Sequence, residues 1–212
     1  MGFSVLVLNT NHNHPYSEPS HLPKRDRLKI EGSDSPEEHG ITAWEEFIQY
    51  NPRIKHVAIV AHSYGGSVVE SMAEAYYDHF FERVFSVAFT DATLGYKSVE
   101  TGMGRVAVNY AACEMEQGVS LGEQAGIPEI AAGHQQHEWS SYAAMDMVFE
   151  RLKRQLKDLG LASGDDASKA KKMETSSQEE ISNAPQGEAV KESGGGDQKN
   201  VGEKDEDTKE EL

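Results

Sequence analysis

The feature that most constrains the fold is a five-residue turn between an apolar run and an apolar helical stripe. Residues 56–61 form a compact run rich in β-branched side chains, which predicts a buried strand. The turn Ala61-His62-Ser63-Tyr64-Gly65 follows, and apolar residues then recur at helical spacing over 68–80. Small residues two before and two after Ser63 permit the sharp strand-to-helix turn that exposes a serine nucleophile. The alternative interpretation is a tight turn whose serine only caps the helix.

Strands and helices alternate through the first 160 residues. The pattern predicts strands near residues 3–8, 56–61, 84–89 and 127–132, and helices over 35–50, after the turn, over 106–115 and over 141–159. Strands that are nearly all apolar, alternating with amphipathic helices, indicate a parallel sheet covered on both faces. With the serine turn, the predicted fold class is α/β, a partial α/β-hydrolase-like parallel sheet with helices on both faces.

Two predicted helices also carry predictions about burial. The first begins with Ser35 as N-cap, Pro36 at the first helical position and Glu38 closing a capping box. Its predicted buried side chains are Ile41, Trp44, Phe47 and Ile48. The last helix is predicted to bury one stripe: Met145, Val148, Phe149, Leu152, Leu156 and Leu159.

The composition changes at residue 160, which divides the chain into a folded domain, 1–159, and a tail, 160–212. The tail has no aromatic residue and carries 14 acidic and 7 basic side chains, so its net charge is −7 and that of the rest is −9, within a total of −16. We expect this acidic tail to be disordered, since it cannot bury enough apolar surface to offset chain entropy. Because both parts are acidic, direct tight binding to RNA or DNA is disfavoured and protein partners are favoured.

Targeting signals are sparse. Cys113 is the only cysteine, which excludes an intrachain disulfide and is typical of a reducing compartment. No apolar run reaches the roughly 18 residues of a membrane span, and no signal peptide is recognisable. The last four residues, 209–212, resemble an endoplasmic-reticulum retrieval signal, but without a signal peptide that signal would not be used.

Candidate catalytic residues follow the strands in the chain order serine, acid, histidine. Ser63 is the candidate nucleophile, Asp91 follows the next predicted strand, and His134 and His137 both follow the one after it. Asp91 is equally well explained as a loop-capping residue. No cofactor is predicted and no metal site either, because the spacing of the histidines near the N-terminus, His12, His14 and His21, matches no zinc pattern.

Five stretches together resemble the Arb-type (argonaute-binding protein) domain family, whose animal members are described as cotranscriptional regulators. They are Phe3 to Asn9, Ser35 to His39, Val60 to Gly66, Ala88 to Asp91 and Gly133 to Ser141. The resemblance implies an α/β-hydrolase-like fold and association with Argonaute in small-RNA silencing and heterochromatin formation. In animals it implies a scaffold between chromatin and splicing, in the nucleus and cytoplasm, with small RNA held only indirectly.

The resemblance also assigns site residues. Ser63, Asp91 and His137 occupy the family's triad-like places, whereas a generic hydrolase Gly-His motif would select His134. In this fold the first strand, 2–8, normally comes fourth, so we expect an N-terminally truncated domain that lacks one oxyanion donor. Such a loss costs about a factor of a hundred to a thousand in rate. Three hypotheses remain: an Argonaute-associated scaffold, which we favour, a serine esterase, and a pseudoenzyme fragment.

Overall fold

Apolar strands and helices alternate along the chain, and the computed structural model describes residues 3–15 and 28–161. The helices are α1 (Pro36–Ala43), α2 (Gly65–Ala75), α3 (Tyr77–Arg83), α4 (Tyr96–Thr101) and α5 (Ser140–Asp158). A π-helical turn, Trp44–Gln49, continues α1, and short 3-10 turns lie at Met103–Arg105 and His137–Trp139. The strands are β1 (Val57–His62), β2 (Val84–Thr90), β3 (Ala107–Ala111), β4 (Ser120–Gln124) and β5 (Ile127–Ala131).

The five strands form one sheet in the order β1-β2-β3-β5-β4. β1, β2, β3 and β5 are parallel, and β4 runs antiparallel to β5 at the far edge. The carboxyl ends of β1 and β2 therefore meet at the same edge of the sheet, where the candidate serine and acid follow them. The predicted α/β class is confirmed, as are the strands near 56–61, 84–89 and 127–132.

Apolar side chains cover both faces of the sheet. On one face, α2, α3 and the π-helical turn pack through Met72, Phe80 and Trp44 against β2 residues such as Phe89. On the other face, α5 packs against β2 and β3. Its buried side chains there are Ala144, Val148 and Leu152. The predicted covering by helices on both faces is thus confirmed.

The start of α1 follows the sequence signal closely. Ser35 is the N-cap, and its hydroxyl accepts a hydrogen bond from the Glu38 N–H at 3.1 Å. The Glu38 carboxylate accepts from the Asp34 N–H instead of closing the capping box on Ser35. Further along, Trp44 is buried but Phe47 is exposed, because the π-helical turn changes the residue spacing and rotates Phe47 away from the core.

The predicted first strand is wrong. Residues 3–7 are exposed and Leu8 is partly buried, and among the described residues the backbone of 3–8 pairs with no strand. An apolar, β-branched run shows that a segment is suited to a sheet, whereas a strand also requires a neighbour with free hydrogen-bonding groups.

The predicted helix over 106–115 is also wrong, since Ala107–Ala111 is the fully buried central strand β3. Two polar residues within it, Asn109 and Tyr110, obscured the continuous apolar run typical of a buried parallel strand. Asn109 is buried because its side chain accepts from the Ala92 N–H and donates to Glu129.

The predicted stripe of α5 is only half right. Val148, Leu152 and Leu156 are buried, but Met145, Phe149 and Leu159 are exposed. The side chains of α5 that face the sheet lie at intervals of four residues. The second apolar row beside them is exposed, and no other element within the described ranges packs over it. No helix in the described part of the chain has the length and apolar character to cross a membrane. Residues 162–212, which make up nearly all of the predicted acidic tail, lie outside the described residues.

Candidate active site

Ser63 lies in the turn between β1 and α2, in the backbone geometry of a sharp elbow. Its φ of 55° is in the left-handed region, which a non-glycine residue rarely adopts. Three backbone hydrogen bonds fix it there. Its own N–H donates to the Thr90 carbonyl at 3.3 Å, and its carbonyl accepts from the N–H groups of Thr93 at 2.9 Å and Gly66 at 3.1 Å. The conformation is thus imposed by the neighbouring strand β2.

The need for small residues around Ser63 has a direct structural cause. A Cβ added at Gly65 would lie 3.3 Å from the Cβ of Ala61, so the two flanking positions of the turn face each other closely. A Cβ at Gly66 would lie 2.4 Å from the Thr93 carbonyl oxygen. Because this oxygen belongs to the backbone, it cannot rotate away to relieve the clash. Alanine at position 61 is accommodated because its partner is glycine.

Asp91 follows β2 and is held as tightly as Ser63. Its φ is 49°, and its N–H donates to the Tyr110 carbonyl at 2.8 Å. One carboxylate oxygen accepts from the Ala112 N–H at 3.0 Å, and the other lies 2.6 Å from Nδ1 of His137. The carboxylate therefore orients the His137 ring while its own position is fixed by the backbone of the next strand.

The structure brings His137, and not His134, against Asp91. His134 is exposed, and its Nδ1 accepts from the Gln136 N–H at 3.1 Å. His137 begins the short turn before α5, so its side chain reaches back over the carboxyl ends of the strands. Within residues 3–15 and 28–161, no hydrogen bond joins the half-buried Ser63 hydroxyl to His137. The carboxylate of Asp91 orients the His137 ring as a base. The hydrogen bond from the Ser63 N–H to the Thr90 carbonyl holds the serine beside the end of β2, where Asp91 follows.

A second histidine, which the sequence reasoning missed, lies against the first. The rings of His62 and His137 have centroids 4.5 Å apart and are tilted by 35°. His62 Nδ1 donates to the Thr90 carbonyl at 2.8 Å, since a carbonyl oxygen can only accept. The Thr90 hydroxyl in turn lies 2.6 Å from that of Ser141 at the start of α5. His62 occupies the variable position before the serine in the turn motif, and that position was the available signal.

A cleft of about 740 Å³ opens beside the turn, between α1, α2 and α4. The Tyr64 hydroxyl donates to Glu37 across it at 2.5 Å, and Lys97 pairs with Glu74 at 2.6 Å. The bond to Glu37 and its charge raise the pKa of Tyr64. Burial opposes ionisation of Glu37, but the Tyr64 bond and backbone contacts outweigh it and lower the pKa of Glu37. These contacts tie the start of α1 to the residue after Ser63.

Metal chemistry receives no support in this part of the chain. Among the described residues, no group of three or more His, Cys, Asp or Glu side chains could hold a metal ion. His12 and His14 belong to the described residues, whereas His21 lies outside them. His14 instead bonds the Leu28 carbonyl through Nδ1 at 2.8 Å.

The elbow and the acid both lie in the stretch that matches a known family. The model of the Arb2 domain matches residues 4–103. This segment is similar to the Arb2 domain. The resemblance to the Arb-type family stated from the sequence is therefore confirmed. The Arb2 match includes Ser63 and Asp91 and ends before His137. No solved structure matches the chain.

Curated relatives of the Arb2 segment come from distant organisms. A cotranscriptional regulator ARB2A homolog of Dictyostelium discoideum is 29% identical over 137 residues, 60% of this chain and 35% of that protein. The human cotranscriptional regulator ARB2A is 29% identical over 143 residues, 64% and 34% of the two chains. A FAM172 family protein homolog of Caenorhabditis elegans is 28% identical over 162 residues, 73% and 48%. The chain thus spans between a third and a half of these relatives' length.

Proposed function

We propose that this chain is a protein-binding regulator that acts during transcription, through association with Argonaute and with chromatin or splicing factors. The observation that carries the proposal is the Arb2 match over residues 4–103, together with relatives named cotranscriptional regulators. The net charge of −16 supports protein partners over nucleic acid. The proposed roles are small-RNA silencing, heterochromatin formation and splicing regulation, in the nucleus and cytoplasm.

Direct binding to purified Argonaute tests the proposal. The immobilised full chain is expected to retain Argonaute before and after ribonuclease treatment, because the contact is between proteins. The matched control is Gly66→Val, which removes the fold at the elbow because its side chain meets the Thr93 carbonyl. Retention that disappears with ribonuclease, or that the Gly66→Val chain shows equally, would contradict the proposal. A fluorescent fusion followed in cells tests the proposed nuclear and cytoplasmic location.

A serine hydrolase activity is the second candidate, and a specific observation favours it. Ser63 has the strained backbone of a nucleophile elbow, and an acid–histidine pair 2.6 Å apart follows the next strands. The Tyr64 N–H at the start of α2 would provide one oxyanion donor. We expect slow ester turnover at most, since the turn itself supplies one such donor and the lack of a second costs about a factor of a hundred to a thousand in rate.

A fluorophosphonate probe tests this second candidate without a known substrate. An activated serine is labelled, and labelling disappears in Ser63→Ala and His137→Ala. His134→Ala is the matched control, because that ring does not contact Asp91. Strong labelling with this pattern would favour the serine hydrolase hypothesis over the scaffold hypothesis. Labelling that His134→Ala abolishes and His137→Ala retains would assign the base to His134.

A further inference from the structure

The strand that leads into Ser63 has an unpaired edge. β1 pairs with β2 on one side, and no strand within the described residues pairs with its other side. An exposed edge presents free N–H and C=O groups that can add another strand. Natural edges are usually protected by charges or proline, but Val57–Ala61 contains neither. Val60, in the middle of this edge, is 57% exposed.

Val60 lies on the face of the sheet that α5 covers. Side chains alternate along a strand, so Val60 shares its face with Ala58. Ala58 packs in the cluster formed with Ala144 and Val148 of α5, whereas Ile59 packs in the cluster on the opposite face. The exposure of Val60 therefore marks the part of the α5 face that α5 itself does not reach.

The exposed row of α5 borders the same uncovered area. One flank of the helix faces β3, since Arg151 donates to the carbonyl of Val106, the residue before β3, at 3.3 Å. Tyr142, Met145 and Phe149 occupy the opposite flank, and all three are exposed. Because β1 lies on the other side of β2 from β3, this flank faces β1. We call the surface bounded by Val60 and this row the edge groove.

The same chain carries an unpaired strand-like segment. Phe3–Leu8 contains no charge and belongs to no helix or strand, and among the described residues its backbone makes no hydrogen bond. Val5 and Val7 are 81% and 84% exposed, which is unusual for β-branched apolar side chains. Asn13 anchors the following turn through its bond to the Ser33 carbonyl at 2.9 Å, so Phe3–Leu8 extends from a fixed point.

We propose that Phe3–Leu8 of one copy adds as a strand to the free edge of β1 in a second copy and places its apolar side chains against the edge groove. The exchange is reciprocal, so each copy gives one strand and receives one, and the assembly closes as a two-fold dimer. Strand addition satisfies backbone groups on both the segment and the edge.

Charge selects this surface over others. Two copies each carry a net charge of −16, so most of their surfaces repel each other. Neither Phe3–Leu8 nor Val57–Ala61 has a charged residue, and the exposed row of α5 is contributed by tyrosine, methionine and phenylalanine. Because added salt screens the repulsion and leaves apolar contacts intact, the dimer becomes tighter as salt rises.

Light scattering of the full chain after size exclusion tests the proposal. We expect twice the chain mass of 23.4 kDa, with more dimer at higher salt. Val60→Lys changes the groove and Val5→Lys changes the segment, and both are expected to give a monomer. Val99→Lys is the matched control and is expected to remain a dimer, since Val99 is 50% exposed on α4, which packs against α2 on the face of the sheet opposite α5. A monomeric wild-type chain at all salt concentrations would overturn the proposal.

Cross-linking identifies the pairing. In a Cys113→Ser background, which removes the only native thiol, Val5→Cys and Val60→Cys chains are mixed under mild oxidation. A disulfide-linked dimer formed from one chain of each kind supports strand exchange. Efficient cross-linking of Val60→Cys chains with one another, and none in the mixture, would show that two β1 edges pair directly and would refute the exchange.

Discussion

Ser63 and Asp91 both hold a left-handed backbone at the ends of adjacent strands. Glycine adopts this conformation freely, whereas other residues are destabilised there by about 1–2 kcal/mol. Their values of φ, 55° and 49°, are maintained by hydrogen bonds to Thr90, Thr93 and Tyr110. The surrounding strands therefore hold two polar side chains in strained positions at one edge of the sheet, a pattern that is typical of functional sites.

Substitution of Ser63 measures this strain. Ser63→Gly relieves the left-handed conformation and Ser63→Ala retains it, while both remove the hydroxyl. After allowing for the greater unfolded-state freedom of glycine, we expect the glycine variant to be more stable than the alanine variant by roughly 0.5–1 kcal/mol. Urea denaturation of the two variants provides the measurement. Equal or lower stability of Ser63→Gly would show that the backbone is unstrained.

Tyr76 provides a stability change at alkaline pH. Burial, together with the hydrogen bond to Glu45 and its charge, raises the pKa of Tyr76 to about 12. The folded chain thus keeps a proton that the unfolded chain releases near pH 10. The contribution to the free energy of unfolding is full below pH 10 and is lost as the pH rises toward 12.

The measurement is urea denaturation across that pH range. The stability advantage of the native chain over Tyr76→Phe is expected to be constant below pH 10 and to shrink above it. Tyr142→Phe, which removes an exposed phenol, serves as the control. An advantage that stays unchanged between pH 10 and 12 would contradict the assigned cause.

The sequence indicated part of the candidate site. The turn motif and the order of the elements predicted Ser63, Asp91 and either His134 or His137 as candidates, because parallel strands bring their carboxyl ends to one edge. The family resemblance favoured His137 over His134. The stacking of His62 on His137 was not predictable, since it depends on where the turn before α5 crosses that edge. Side-chain contacts between distant segments leave no local pattern.

At the level of elements, the contact between α1 and α2 depends on a glycine inside a helix. A Cβ at Gly40 would lie 2.4 Å from Cγ1 of Val68 and 3.2 Å from Sδ of Met72. Helix propensity alone favours Gly40→Ala by about 1 kcal/mol. We expect the steric clash to dominate and to lower the free energy of unfolding by about 1–3 kcal/mol.

A second substitution tests the clash directly. Val68→Ala removes the atom that Gly40→Ala meets, so the double variant is expected to be at least about 0.5 kcal/mol more stable than the sum of the single effects predicts. Thermal or urea unfolding of the four proteins gives the interaction energy. Additive effects would show that the helices separate instead of packing closely.

The apolar pattern of the sequence correctly predicted strands that consist of one continuous apolar run. It failed where the pairing of a segment with its neighbours determines whether that segment is a strand. β1, β2 and β5 were recognisable because their residues are mainly apolar. β3 was not, since Asn109 is buried only through its bonds to Ala92 and Glu129. Residues 3–8 show the reverse case, where a strand-like sequence finds no partner among the described residues.

At the scale of the whole molecule, charge determines which partners can approach. The net charge is −16 and the isoelectric point is about 4.9. Proteins that bind RNA release counterions by neutralising phosphates with basic side chains, so their affinity falls as salt rises. An acidic surface lacks this driving force and gains nothing from low salt.

We therefore predict that the full chain alone does not hold a labelled small RNA with submicromolar affinity at physiological salt, and that lower salt does not strengthen binding. Fluorescence anisotropy across a salt series measures both. A mixture of the chain, Argonaute and RNA is expected to have a higher anisotropy than a mixture of Argonaute and RNA alone, because the chain binds the Argonaute that already holds the RNA. The control is the same titration with Gly66→Val, which disrupts the elbow and is expected to leave the Argonaute signal unchanged. Submicromolar binding by the chain alone that weakens steadily with salt would reveal a basic RNA-binding surface and contradict the charge argument.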